Sequence, residues 1–478
     1  MNSEVPRFHG KAMPLSLQVD ARSVLNETAL LLIPMGDSSN HKLKGVAPFW
    51  GFGHPFDLYN HEPLKKLFSR VIVYDYLKRM MEIPLREMNC ELLALARSER
   101  PKYVIWPSVN YEFLESTFDA LRREGISVIG FFFDDEFRFE DYSKYWSVHL
   151  DYCVTSEVDM VPRYQAMGSR GIYAFVCHCM PLDRDWNIIN EKYEVSFVGA
   201  RKYDREHYLN AIRQRNIPLH VVGPGWDEYV SFQGMLDIFQ TSKINLNFSK
   251  TEQNKLGWKG RLLQVINAGG FLLTEYRPGL EQFFEIDREV VCFSNGEEML
   301  EKIQYYLAHD AERRAIARAG WKRGTSEYTP YHMMRRIFTE IEADQQSRQT
   351  PGVPKPRSLQ TPRHVRRAEA EYYLGWGLAF LKEDRRALWR DAFSLACAYE
   401  PLKWKGWSYH LVASVPWCIP RKTLPVMRRL FEGGRGELTG LVRMALFAAL
   451  KRCIGQRNYS SLKAWRNGRR SESKRITA

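Results

Sequence analysis

Short apolar runs alternate with amphipathic stretches through most of this chain. Continuous apolar strands separated by helices are the pattern of a parallel sheet covered on both faces. In the first half the pattern predicts strands at 29–34, 71–74, 103–107, 127–133 and 152–155. Between them, Phe113, Leu114, Thr117, Phe118 and Leu121 recur at helical spacing, which predicts a helix within 111–123. The second half predicts strands at 195–199, 219–223, 244–247, 271–274 and 290–293, and two long helices over 296–322 and 329–344 close the unit. The stretch 181–193 reads as a linker. The fold class is therefore α/β, with two Rossmann-like lobes at 28–180 and 194–345 behind a polar, flexible leader at 1–27.

Four prolines (Pro351, Pro354, Pro356 and Pro362) then interrupt the chain, and no helix or central strand accommodates them. They mark a linker over 346–365. Beyond it, 366–478 reads as a small helical region. Helices at 372–381 and 389–399 carry Gly375, Gly377, Ala392 and Ala396 where they would touch, and Pro401 ends the second, as in a tetratricopeptide-type pair. One pair buries no core alone, so it is expected to pack on the body. An amphipathic stretch at 438–450 and a basic end from Lys451 follow.

Composition narrows the class. Of 478 residues, 45% are hydrophobic and 13% aromatic, which supplies a core and excludes a disordered chain. The longest apolar run, 444–450, is far short of the roughly 20 residues of a spanning helix. The charged, Pro-containing start has no apolar stretch before Ala29, so no secretory signal is expected, and the eight cysteines are read as reduced thiols in a cytoplasmic protein. The net charge of +13 is uneven. From Pro351 onward 26 Lys and Arg face 9 Asp and Glu, a net of +17, whereas the first 350 residues carry a net of −4. Such a tail meets an anionic surface or is simply solvated. It holds no recognition-helix or aromatic-basic pattern, so no nucleic acid is expected.

Three stretches could carry chemistry. In 245–275 a strand leads to Lys259 and Arg261, a helix, then Gly269-Gly270 and another strand. Cations beside a helix start form an anion site, and the two glycines permit a sharp turn; a basic loop before an ordinary helix stop is the other reading. Asp134-Asp135-Glu136 ends a strand, at the sheet edge where open α/β folds bind ligands. One aspartate could act as base on an acceptor hydroxyl, or cap a helix. Adjacent side chains on an extended chain point to opposite faces, so no metal is expected there. Cys177-His178-Cys179 lacks a second ligand pair for zinc and reads as buried thiols on a strand. His54, His61 and His178 fit no nucleophile pattern.

Residues 28–345 resemble the CgeB-like (spore maturation protein type) glycosyltransferases. The carrying segments are VSFVGARKYDREHYL (195–209), VVGPGW (221–226), SKINLNFS (242–249), KGRLLQVINAGGFLLTEYRPGLEQFF (259–284) and 289–320, with FFFDDEFRF (131–139) and 151–168 upstream. The resemblance implies a GT-B architecture, with a nucleotide-diphosphate sugar bound by the second lobe and the acceptor entering from the first. It implies no metal and no cofactor beyond that co-substrate, a glycan, protein or lipid-linked acceptor, and a place in bacterial surface or spore-coat glycan synthesis. On this reading Arg261, Lys259 and Arg201 meet the diphosphate, where negative charge builds as the sugar leaves. Gly199 and Gly223 let backbone approach it, with Gly269 and Gly270 completing the donor loop. Trp226 lines the base pocket or packs in the core, and Asp134 or Asp135 serves the acceptor. The family's ribose-binding Glu, three residues after the arginine, is Gln264 here, with Glu275 and Glu252 as nearby substitutes. The basic tail could reach an anionic inner-membrane surface. The alternative is a non-catalytic nucleotide- or sugar-binding scaffold whose helical tail recruits partners.

Overall fold

The computed structural model describes residues 25–34, 57–201, 203–228, 230–250, 255–347, 359–383 and 385–400. The stretch at 438–450, the basic end, His54, Glu252 and most of the proline-rich linker lie outside them. The described residues fall into two compact units, one within 25–34, 57–79 and 88–360, the other within 80–87 and 361–400.

The first unit holds both sheets. In the first lobe β1 (Leu25–Ile33), β2 (Phe68–Asp75), β3 (Tyr103–Pro107), β4 (Ser127–Phe132), β5 (Tyr152–Thr155) and β6 (Arg170–Tyr173) form one parallel sheet in the order β2-β1-β3-β4-β5-β6. The second lobe orders β7 (Tyr193–Val198), β8 (Leu219–Val222), β9 (Ser242–Asn247), β10 (Leu272–Glu275) and β11 (Val291–Phe293) as β11-β10-β9-β7-β8, again all parallel. Strands buried on both faces need unbroken apolar runs, and Ala29–Ile33 are fully buried accordingly. In the second lobe Val195, Phe197, Ile244, Leu246, Leu273, Val291 and Phe293 form the core with Met299 and Ile303 of the covering helix Gly296–Ala308. In the first, Trp106 is fully buried among Phe113, Phe118, Phe132 and Trp146.

Four details differ from the pattern-based expectation. Strand β1 begins at Leu25, inside the segment read as leader. β6 was not anticipated, because only Ile172 of its four residues is both apolar and buried; its Gly171 is required, since a Cβ there would lie 2.7 Å from the Val161 carbonyl oxygen. The helix expected over 296–322 is two, Gly296–Ala308 and Asp310–Glu327, divided at non-helical His309. The helix Pro330–Ser347 does not close the second lobe but returns to the first, where Phe338 packs on Phe68 and Tyr103 and Asp344 accepts a 2.8 Å hydrogen bond from Tyr152. Helical periodicity shows which face is apolar, not which lobe it covers.

In the second unit the helices Arg363–Lys382 and Arg386–Tyr399 pack closely, and a Cβ on Gly377 would lie 2.3 Å from the Phe393 ring. The 80–87 segment belongs to this unit: Met80, Ile83 and Leu85 meet Trp376, Phe380 and Leu388, and Arg86 pairs with Asp391. No helix among the described residues is long and apolar enough to cross a membrane.

Among the groups that fasten the linker to the second lobe is one buried arginine. Arg313 donates to Glu191 Oε1 at 3.0 Å, to the Lys243 carbonyl at 3.1 Å and to the Tyr306 carbonyl at 3.2 Å, and it also pairs with Asp310. Removing one side of a buried ion pair strands the other. Arg313→Ala should therefore lower unfolding free energy by about 3–5 kcal/mol, measured by urea unfolding of the full chain followed by tryptophan fluorescence.

Candidate functional site

In an open parallel sheet, neighbouring connections diverge at the point where strand order reverses, leaving a crevice at the carboxyl ends of the strands. In the second lobe that point lies between β7 and β9. The residues that follow these two strands meet there.

Gly199 follows β7. Its N–H donates to the Val222 carbonyl at 2.9 Å, and its own carbonyl accepts the Trp226 indole N–H at 2.8 Å. A Cβ on Gly199 would lie 2.8 Å from Arg261 Nη2, so this glycine is what admits the guanidinium to the end of β7. Gly223, at φ 128°, turns the chain after β8 close beneath; a Cβ there would lie 2.7 Å from the Gly199 oxygen. Arg261 Cζ stands 5.5 Å from the Phe197 ring centre. Arg205, from the helix Tyr203–Gln214, stands 5.8 Å from the same ring, and its Nη1 donates to the Ala200 carbonyl at 3.1 Å. Two guanidinium groups thus flank one phenylalanine at the switch point.

Arg261 has no counter-ion. Its Nε is buried with no hydrogen-bond partner, and no carboxylate pairs with the group among the described residues. Burial, with a smaller push from Arg205, pulls its pKa down to about 9. It remains charged at neutral pH. A half-buried cation facing a second cation is costly until an anion arrives, and the planar forks suit phosphate oxygens.

The other expected donor residues divide. Gln264 is buried one helical turn beyond Arg261, which places it on the same helix face. Trp226 is half-buried and tethered to Gly199, with the Arg201 guanidinium 5.3 Å from its ring centre; this indole packs against the turn. Arg201 is exposed and paired with Glu206 at 2.6 Å, so its charge is already matched. Lys259 is a clearer correction: its Nζ lies 2.8 Å from Glu136 Oε1 and 3.5 Å from Asp134 Oδ1, joining the lobes rather than awaiting a phosphate. Glu275 is fully used as well. Its Oε2 accepts the backbone N–H groups of Ser249 and Lys250 at 3.0 and 3.2 Å, and its Oε1 lies 3.3 Å from Lys250 Nζ.

Gly269 and Gly270 are misplaced as donor residues. The helix Arg261–Asn267 returns the chain to the start of β10, so its end lies at the opposite edge of the sheet from Arg261. The Gly270 N–H bonds the Val265 carbonyl and the Gly269 N–H the Ile266 carbonyl, both at 2.9 Å, with Gly269 at φ 79°; this is a Schellman helix stop. Seven residues also give that helix little dipole, so the site's positive charge comes from side chains.

On the first lobe Asp134, two residues past β4, has a left-handed φ of 75° and keeps its carboxylate partly exposed. Asp135 is buried instead. It accepts a 2.6 Å hydrogen bond from Tyr164, and burial lifts its pKa to about 6 against hydrogen bonds from Ser143, Tyr164 and Thr155. It belongs to the interior of the lobe, not to an acceptor surface. Cys177 and Cys179 are buried in an irregular segment rather than a strand, and Cys177 donates to the Tyr328 carbonyl at 3.2 Å. Among the described residues no group of three His, Cys, Asp or Glu could hold a metal ion.

Sequence reasoning missed Arg205, Glu157 and Arg277, and it singled out the Asp134-Asp135-Glu136 stretch without giving Glu136 a role of its own. Glu157, after β5, pairs through both oxygens with Arg277, after β10, and burial lifts its pKa to about 7 against the pull of that arginine. The visible signal for Arg205 was its spacing. Six residues after Gly199, it falls on the first helix that can turn back toward the strand end.

Residues 201–339 match the protein family described as glycosyl transferase-like. No curated protein matches the chain in sequence. Among solved structures, the chain is similar to Anabaena HepE in complex with UDP-glucose at 9% identity, covering 66% of this chain and 100% of that one with a TM-score of 0.44. It is also similar to a sucrose-phosphate synthase from Thermosynechococcus elongatus (9% identity, 67% and 100% covered, TM-score 0.43) and a glycosyltransferase from Rickettsia africae (10%, 68% and 100%, 0.42). At these scores the likenesses add nothing to the topology described above.

Gly269 gives a clean check on the placement. Gly269→Ala puts a β-carbon on a left-handed residue, 2.7 Å from Arg184 Cδ, and should cost about 1–2 kcal/mol of stability. Urea unfolding of the full chain, followed by tryptophan fluorescence, measures that loss.

Proposed function

We propose that this chain is a glycosyltransferase of GT-B architecture that transfers a sugar from a nucleotide-diphosphate donor. The single observation that carries the reading is the unpaired Arg261 guanidinium, half-buried with its Nε fully enclosed, set beside Arg205 at the switch point of the second lobe. The glycosyl transferase-like match over 201–339 spans both arginines and supports it.

In the reaction an acceptor hydroxyl oxygen bonds the sugar's anomeric carbon and gives its proton to Asp134, while the bond from that carbon to the β-phosphate oxygen breaks and its electron pair stays on the diphosphate. Arg261 and Arg205 stabilise that gathering charge, and fixed cations do so without reorganisation cost. They supply what a metal ion would otherwise supply, so the proposal is metal-independent. Gln264, one turn from Arg261, is the residue proposed to hydrogen-bond the donor's ribose. Asp134, the partly exposed carboxylate at the end of β4, is the side chain proposed to contact the acceptor, a glycan, protein or lipid-linked molecule. The finer assignment to the CgeB-like type, to bacterial surface or spore-coat glycan synthesis, and to a cytoplasmic site touching the inner membrane rests on the sequence resemblance and the basic tail.

A non-catalytic scaffold is the second reading, favoured by Gln264 standing where a glutamate grips the ribose in the family it resembles. Titration of wild type and variants with UDP-sugars, alongside turnover, separates the two. Arg261→Ala should lower turnover about a hundredfold or more, on the order of 3 kcal/mol, and Arg205→Ala somewhat less. Both should weaken UDP while leaving uridine unaffected. Turnover should survive EDTA. A wild type that binds a nucleotide sugar without turnover, and gains turnover on Gln264→Glu, would establish the scaffold reading; an Arg261→Ala protein that binds and reacts as wild type would refute the donor site.

A further inference from the structure

The loop that delivers Arg261 is held from the other lobe. Glu136, after β4, receives Lys259 Nζ at 2.8 Å, and its Oε1 occupies the space beside Gly257, where a Cβ would come within 2.0 Å. Glu157, after β5, engages the Arg277 guanidinium at two points, and that guanidinium lies 4.2 Å from the ring centre of Trp258. Three successive residues just before Gly260-Arg261 are thereby fixed: Gly257 by contact, Trp258 by stacking and Lys259 by charge. Each carboxylate comes from the first lobe, and each cation from the second.

We propose that Glu157 and Glu136 are positioning residues for the diphosphate site, holding the 257–260 loop so that Arg261 reaches the end of β7 only when the lobes are engaged. This rests on the donor reading above. Neither carboxylate needs to touch the donor; each acts on it through the loop. The energetics suit that role. Burial and the neighbouring Glu136 charge push Glu157 up to about 7, so ionising it inside the closed pair is unfavourable. A buried pair under that penalty adds little stability and fixes geometry instead. Tyr173 interacts electrostatically with Glu157, which also accepts the Trp258 backbone N–H, and Lys259 answers Glu136. Gly257 is consistent, since any larger residue would displace the loop from Glu136.

The test is calorimetric titration of the full chain with UDP at pH 8, where Glu157 is ionised, with thermal unfolding recorded in parallel. Glu157→Gln should weaken UDP about tenfold, and Arg277→Gln by a similar factor. The double variant should be no weaker than either alone, because both break one linkage. Arg277→Lys, which keeps the charge but not the two-point pairing, should recover part of the loss and serves if Glu157→Gln fails to fold. A purely structural role would lower the melting temperature and leave UDP affinity in place. Unchanged affinity in folded Glu157→Gln, or strictly additive losses in the double variant, would overturn this inference while leaving the donor site standing. A wild type that binds no nucleoside diphosphate would overturn the donor reading itself, and this inference with it.

Discussion

A half-buried cation without a counter-ion is the constraint around which the second lobe is built. The Arg261 guanidinium sits where a β-carbon on Gly199 would collide with it, against the face of Phe197 and near a second guanidinium. Burial penalises its charge, and Arg205 adds to the penalty. No sequence optimised for stability alone would place two cations there. The arrangement becomes favourable when an anion with several acceptor oxygens enters, and on that ground we propose a phosphate receptor here. The glycines at 199 and 223 allow this close packing, and the Trp226 indole hydrogen bond ties the turn after β8 to Gly199.

The first lobe contributes carboxylates to the same neighbourhood. Their role differs from the one their position at the end of β4 suggests. Asp135 is turned inward to Tyr164, and Glu136 is spent on Lys259. Together with Glu157 and Arg277 these groups form a charged seam between the lobes. A seam of opposite charges is directional, so it fixes register between two surfaces that apolar contact alone would let slide. Binding and lobe engagement are thereby linked through a single short loop.

Much of the fold was legible because parallel strands must be apolar on both faces. Ten of the strands were found from that property, with ends displaced by a few residues. β6 escaped because Arg170, Gly171 and Tyr173 do not read as a buried run. The helix Pro330–Ser347 was visible as a helix, but the lobe it covers is decided by packing on Phe68 and Tyr103, far away in sequence. The site was legible in part for the same reason. Arg261 could be singled out because a cation after a strand end is local information. Whether a charged group is free or answered is not local. Lys259 and Glu275 looked as available as Arg261 until their partners, Glu136 across the cleft and the backbone of Ser249 and Lys250, were in place. Gly269-Gly270 misled because a glycine pair suits a phosphate loop and a helix stop equally well; only the direction of the chain through the sheet distinguishes them.

The central claim, that Arg261 and Arg205 together form a diphosphate receptor at the switch point of the second lobe, is tested most directly by a crystal structure of the full chain with UDP. The account predicts the β-phosphate beside Gly199, with its oxygens accepting hydrogen bonds from Arg261, including its now unpartnered Nε, and from Arg205. UDP bound elsewhere, or bound with the Arg261 guanidinium left without an anion, would contradict it.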